Sequence, residues 1–179
     1  FMKLEGITLP AQIEAVITDS QKEGYSFIMV AINHQLKGAI EIQPHVRPEV
    51  KNIIQGLRQR GIRQIAIVSG DHKRPTEKLA RELGMDDYFA EILPQDKAAL
   101  VERLQKEGHR VCFVGDGIND TIAMKKANVS VSLSGAASIT TDIAQVVLMD
   151  GTLSHLCDLI DISTQLNNHL QQSLWYCLI

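Results

Sequence analysis

Between residues 47 and 149 the chain alternates short apolar runs with segments whose apolar positions recur every three to four residues. The runs Ile65-Ala66-Ile67-Val68 and Val111-Cys112-Phe113-Val114 are too short for helices and rich in β-branched residues, so they read as buried strands over 64–68 and 110–114. The segment opened by Arg47-Pro48 places Val50, Ile53, Ile54 and Leu57 at i, i+3, i+4 and i+7, one face of a helix that Gly61 ends. Pro75 opens the next helix, with Leu79 and Leu83 on one face and Gly84 as its stop. A short extended piece at 88–92 precedes a helix from Pro94 that carries Val101 and Leu104 and stops at Gly108. After strand 110–114 come a helix over 119–127, a strand over 128–133, a short helix near 136–143 and a strand over 145–149. This alternation predicts an α/β fold, a doubly wound parallel sheet whose sites lie at the carboxyl ends of its strands.

The flanks read differently. Ile13, Val16 and Ile17 fall at helical spacing behind Pro10, and Tyr25 to Ile32 with Leu36 to Ile42 form a β-hairpin around Asn33-His34. A domain boundary falls near Gln43-Pro44. After Gly151, residues 152–172 carry a mostly polar helix pattern, and the chain then turns apolar over Ser173 to Ile179. Seven residues cannot cross a bilayer, which takes about 20, although Trp175 and Tyr176 are of the types that gather where a helix meets a membrane interface. The tail is read either as the first turns of a membrane helix or as a terminal helix docking its apolar end on the domain.

Composition narrows the function. With 179 residues, 45% of them hydrophobic, the chain can bury a core as one domain with a short appendage. A net charge of −3, with no basic cluster beyond Lys125-Lys126, argues against nucleic acid as a partner. The three cysteines, Cys112, Cys157 and Cys177, show no Cys-x-x-Cys pairing and fit a reducing, cytosolic environment as core or surface thiols. The six histidines are scattered, His72 beside Asp71 included, and read as structural or surface residues.

Candidate chemistry concentrates after the two strands. Gly115-Asp116-Gly117-Ile118-Asn119-Asp120 follows strand 110–114 directly, with two carboxylates four positions apart on a turn whose glycines permit close backbone approach. Hard oxygen ligands on such a turn suit Mg²⁺, which takes one or two protein carboxylates at about 2.1 Å and leaves its other positions to water and phosphate. Strand 64–68 ends in Ser69-Gly70-Asp71, a hydroxyl and a carboxylate, and Leu93-Pro94-Gln95-Asp96-Lys97 places a lone lysine at the start of a helix. Hydroxyl, lysine and acidic loop, in that order, resemble motifs two, three and four of the haloacid dehalogenase-like phosphotransferases. Within that superfamily the chain is similar to the phosphorylation domain of P-type cation-transporting ATPases, with its Thr-Gly-Asp, Pro-x-x-Lys and Gly-Asp-Gly-x-Asn-Asp. Asp142 to Met149 looks like the segment that follows this loop in the heavy-metal branch. The resemblance covers roughly residues 25–175.

The resemblance implies Mg²⁺-dependent phosphoryl transfer from ATP to an aspartate, then hydrolysis of the aspartyl phosphate coupled to cation transport. Asp116 and Asp120 are the candidate Mg²⁺ carboxylates. Asp116 would bind the ion directly, while Asp120 and Asn119 would hold the loop and its coordinated water. Lys97 would neutralise the aspartyl phosphate, Ser69 would donate to a phosphoryl oxygen, and Asp71 would align ATP or water. Gly70, Gly115 and Gly117 support the loops. Ser69 stands where the family usually has Thr, and Gln43 to Arg47 lacks the acidic hinge common in relatives.

The Asp-Lys-Thr-Gly-Thr nucleophile segment occurs nowhere in the sequence. Asp19, in Thr18-Asp19-Ser20, is read as a helix-end carboxylate rather than a nucleophile. The chain is therefore expected to be a carboxy-terminal piece of a transporter on the cytoplasmic face of a membrane, itself mostly soluble and inactive in isolation. Its partners would be the nucleotide-binding, actuator and transmembrane parts. Residues 1–43 would be the end of the nucleotide-binding domain, 44–151 the phosphorylation domain, and 152–179 a helix leading toward a membrane span. An inactive Mg²⁺-binding scaffold and a stand-alone phosphatase using Asp19 are the alternatives. In the family the nucleophile strand lies between the strands ending at Ser69 and Gly115, so those two are expected not to pair. The gap would be filled by hairpin strands 26–32 and 37–42 or by a strand swapped within a homodimer.

Overall fold

In the computed structural model, residues 6–7, 9–22, 24–43, 45–115, 118–133 and 142–178 are described, with the backbone alone for 21, 22, 26, 177 and 178. Helix α1 (Ala11–Lys22) forms where its spacing places it, but of the apolar residues that share that spacing it buries Ile17 and leaves Val16 59% exposed at the edge of the face. Strands β1 (Ser26–Ile32) and β2 (Gln35–Ile42) pair antiparallel. Asn33 and His34 both take positive φ, 51° and 59°, the tight two-residue turn that matches the twist of the strands.

This hairpin is its own two-stranded sheet. The expectation that 26–32 or 37–42 fills the centre of the parallel sheet is therefore wrong. Register explains why: with Ile28 opposite Ile40, the pair presents Ile28, Val30, Ile32, Ile40 and Ile42 on one exposed face, and neither strand is covered on both faces as a central parallel strand must be.

The α/β part follows the predicted order. Helix α2 (Val50–Gln59) buries Ile53 and Ile54; β3 (Ala66–Val68) leads to α3 (Lys73–Leu83), which Gly84 closes at φ 67° in the left-handed region. Then come β4 (Asp87–Phe89), α4 (Pro94–Lys106) with Pro94 in its first turn, and β5 (Cys112–Gly115). A 3₁₀ turn (Ile118–Asp120), α5 (Thr121–Lys126), β6 (Val129–Leu133), β7 (Val146–Leu148) and α6 (Leu156–Leu178) complete the chain. Helix 119–127 is thus split, its first turn being tighter than α-helix. The helix read near 136–143 falls mostly outside the described residues.

All strands after the hairpin run parallel, in two hydrogen-bonded pieces: β3 with β4, and β5–β6–β7. Strands β3 and β5 are not paired. Val131, Leu133 and Leu148 form a core on one face of the larger piece, packed by Val146, Leu153, Leu156 and Leu159. Helix α5, with Ala123 and Met124 fully buried, lies against β5 and β6. Because side chains alternate along a strand, Ser130 and Ser132 point away from Val131 and Leu133, to the α5 face.

Helix α6 is held at its beginning. Cys157 Sγ fits over Gly56, where an added Cβ would lie 2.7 Å from the sulfur, and Arg60 grips Asp161 with two bonds of 2.8 and 2.6 Å. Beyond Asp161 every residue with a described side chain is exposed, Trp175 to 67% and Tyr176 to 81%, so the tail does not dock on the domain. Among the described residues, no helix is long and apolar enough to cross a membrane.

Candidate active site

Ser69 leaves β3 still bonded to its neighbour: its N–H donates to Phe89 O at 2.8 Å, and its carbonyl accepts from Ile92 N at 3.1 Å. Its hydroxyl donates to Asp71 Oδ2 at 2.8 Å and accepts from Asp71 N at 3.1 Å, closing a small ring that fixes both side chains. Asp71 O in turn accepts from Glu91 N at 2.9 Å, and His72 Nδ1 lies 3.2 Å from Glu91 Oε1. Glu91 adopts φ 58°, and outside the hairpin turn it is the one non-glycine residue with positive φ among the described residues. A side chain held in that sparsely populated region marks a tightly specified loop. A Cβ at Gly70 would meet Ile92 O at an ordinary 3.6 Å, so space does not demand glycine there.

The second half of the site hangs from β5. Lys97, in the first turn of α4, donates from Nζ to Asp120 Oδ1 at 2.7 Å, with both side chains only 14% exposed. Asp120 lies directly over Gly115: a Cβ there would be 2.8 Å from Asp120 Oδ2 and 3.0 Å from its Cβ. Here glycine is required by packing, since φ at 115 is not positive. Asn119 is exposed on the 3₁₀ turn, which Thr121 Oγ1 closes by donating to Ile118 O at 2.8 Å. Asp116 and Gly117 lie outside the described residues.

One stretch of backbone joins the halves. Ile92 is tied to Ser69, and Lys97 N donates to Leu93 O at 3.2 Å in the first turn of α4, so the loop that braces the Ser69–Asp71 ring also launches Lys97. Hydroxyl, carboxylate, ammonium and carboxylate thus all sit on segments that leave parallel strands at their carboxyl ends, where doubly wound sheets place their sites. Carboxylate oxygens of this kind suit a hard cation such as Mg²⁺. Yet Asp120 Oδ1 is engaged by Lys97, and among the described residues no group of three or more His, Cys, Asp or Glu could hold a metal. The 2.7 Å bond fixes Asp120 and Lys97 relative to each other. Asp19 sits within α1 rather than at a strand end.

His72 stays a surface residue, as its sequence context implies, whereas Glu91 departs from the extended piece read at 88–92: the strand ends at Phe89, and Glu91 N–H, donating to Asp71 O, sits in a loop that only the fold brings to Asp71.

Comparison with known proteins agrees with this geometry. Residues 5–128 match the family model of the haloacid dehalogenase-like hydrolases. Over 170 residues the chain is 30% identical to a copper-exporting P-type ATPase of Staphylococcus aureus, covering 95% of this chain and 21% of that protein. The crystal structure of a zinc-transporting PIB-type ATPase superposes with a TM-score of 0.74 at 27% identity, over 92% of this chain and 27% of that one. The catalytic domain of the CPx-ATPase CopB-B shares the fold, with a TM-score of 0.62 at 22% identity, over 89% of this chain and 76% of that domain. The chain spans about a fifth (21%) of the length of the curated relatives it matches. Segments that follow parallel strands and carry Ser69, Asp71, Lys97 and Asp120, together with a family match over most of the chain, lead to one conclusion: this chain belongs to the haloacid dehalogenase-like hydrolases.

Proposed function

We propose that the chain is part of the catalytic unit of a metal-cation-transporting P-type ATPase, working in phosphoryl transfer from ATP to an aspartate carried on a segment outside these residues. The observation that carries this reading is the Lys97–Asp120 pair at 2.7 Å together with the Ser69–Asp71 ring, two charge-ordered halves tied to one loop. Residues 44–151 would then be the phosphorylation domain, 1–43 the end of a nucleotide-binding domain, and 152–179 the connection toward the membrane.

In this reading Lys97 supplies an ammonium whose position Asp120 fixes, so that it meets the growing negative charge on the phosphoryl oxygens without reorganising. Ser69 turns its hydroxyl from Asp71 to a phosphoryl oxygen, and Asp71, released, orients the attacking group. Asp116 would hold Mg²⁺ beside the phosphate; when bound, the ion neutralises phosphoryl charge. The aspartate that accepts the phosphoryl group would arrive on a strand between β3 and β5. Their lack of mutual pairing, with β5 bonded to β6 alone among the described residues, supports that placement.

The test supplies the missing strand. A synthetic apolar peptide ending in Asp-Lys-Thr-Gly-Thr is added to the chain with Mg²⁺ and labelled acetyl phosphate, and the reaction is quenched in acid. Label on the peptide aspartate, dependent on the chain and lost in Lys97→Ala, is the expected result. No label above that on peptide alone would overturn the proposal. Label on the chain itself, lost in Asp19→Asn, would favour the phosphatase reading.

A further inference from the structure

Ser132 is a fully buried hydroxyl that the site as described does not use. Its one hydrogen-bond partner among the described residues is the carbonyl of its own neighbour, Leu133, at 3.4 Å, a long contact. Ser130, on the same face one pleat earlier, is nearly as buried and is tied to Gln145 instead: its hydroxyl accepts from Gln145 N and its N–H donates to Gln145 Oε1, both at 3.1 Å. A buried donor left with so poor an acceptor costs about 1–3 kcal/mol, and such a group in a folded protein calls for an explanation.

The register supplies one. Ser132 is the ladder partner of Gly115, and paired residues of parallel strands, about 4.8 Å apart, carry their side chains on the same face. Gly115 has no side chain, and the space above it is taken by Asp120, whose Oδ2 comes within 2.8 Å of where a Cβ would stand. Asp120 Oδ1 is bonded to Lys97, but Oδ2 accepts no hydrogen bond from any described residue. Among the described residues, a buried donor with a poor acceptor and a nearly buried acceptor with no donor therefore belong to ladder-paired positions, Ser132 and the space over Gly115.

We propose that Ser132 is a positioning residue, its hydroxyl donating to Asp120 Oδ2 directly or through one buried water, so that Asp120 is held from both oxygens and Lys97 is aimed by a fixed carboxylate. Its purpose rests on the function proposed above, but the link itself belongs to the chain alone. Ser132 would act through Asp120 and Lys97 without touching substrate.

The experiment follows the Lys97 ammonium protons by ¹⁵N NMR at fixed pH in the chain without phosphate donor or peptide, so failure of the phosphoryl-transfer reading cannot mimic failure here. Ser132→Ala should shift the Asp120 carboxyl carbon resonance and speed exchange of the Lys97 ammonium protons roughly two- to tenfold, the loss of one modest hydrogen bond. Ser132→Thr, which keeps the hydroxyl, should restore slow exchange. Ser130→Ala, equally buried and on the same face, should leave both signals unchanged. Unaltered exchange in Ser132→Ala, or an equal change in Ser130→Ala, would overturn the assignment.

Discussion

Gly115→Ala adds one methyl group and should dismantle the Lys97–Asp120 pair. The new carbon would stand 2.8 Å from Asp120 Oδ2 and 3.1 Å from its Cγ, some 0.7 Å inside the roughly 3.5 Å at which such atoms rest. Backbone strain does not enter, since φ at 115 lies in the ordinary range. Asp120 must withdraw by several tenths of an ångström, and the 2.7 Å bond to Lys97 stretches past the length of a charge-assisted hydrogen bond. Overpacking of this kind costs about 1–3 kcal/mol, and losing a bond to a charged group about 1.5–3, partly recovered by relaxation, so about 2–4 kcal/mol is expected in all. Urea unfolding followed by far-ultraviolet circular dichroism measures it. The control is the same substitution in an Asp120→Ala background, where Cγ and Oδ2 are gone; the Cβ at 3.0 Å stays, so the added methyl should still cost about 1 kcal/mol, well below its cost in the wild-type background. Gly115→Ala within about 0.5 kcal/mol of wild type, or an undiminished cost in the Asp120→Ala background, would refute the reasoning.

Three further expectations are open to direct measurement. The chain alone, incubated with labelled ATP and Mg²⁺ and quenched in acid, should retain no phosphoenzyme, and retention would show that a carboxylate on this chain is competent. Gly56→Ala drives a methyl group to 2.7 Å from Cys157 Sγ and should destabilise by about 1–3 kcal/mol in urea, with most of that loss relieved by Cys157→Ala. His155 bonds Asp158 through Nδ1 at 2.7 Å and faces Asp150, and these carboxylates raise its pKa above the usual 6.5. A raised folded value means the contact stabilises fully below about pH 6.5 and is lost as pH climbs through the folded pKa. Protection factors for amide exchange over 152–159, with the intrinsic base-catalysed rise divided out, should therefore fall on going from slightly acid to alkaline buffer, and His155→Gln should flatten that dependence.

Most of the scaffold could be read from the residues because local chemistry and tertiary demand agree there. Pro94 starts α4, Gly84 stops α3, and Ile53 with Ile54 mark the buried face of α2, each as its pattern requires. The hairpin was legible down to its turn, where Asn33 and His34 tolerate positive φ, but not its placement. Whether an apolar strand joins a given sheet depends on partners far away in sequence, and nothing in Ser26 to Ile32 says that both of its faces will be covered. At the site, Lys97 and Asp120 stood out by type and spacing, whereas their direct contact depends on Gly115 being bare. Glu91 and Ser132 were hidden for opposite reasons. Glu91 looks like any surface glutamate until the Asp71 carbonyl fixes its backbone. Ser132 sits in the alternation Val129-Ser130-Val131-Ser132, whose polar positions suggest a solvent-facing side, and only the covering of that face by α5 turns it into a buried hydroxyl.

Helix α6 has a mechanical meaning. Its 23 residues extend about 34 Å at 1.5 Å per residue, yet the contacts of Cys157, Leu159 and Asp161 hold only its first turns. From Ile162 to Tyr176 roughly 21 Å of helix stands clear as a lever whose fulcrum is the Arg60–Asp161 fork and the Cys157 notch over Gly56. A tilt of only about 10° at that fulcrum would sweep the far end through about 4 Å, the scale on which hinged elements work. Small readjustments where α2 meets α6 would thus be magnified at Trp175, the single tryptophan of the chain, making a fluorophore there a sensitive gauge of movement at the joint.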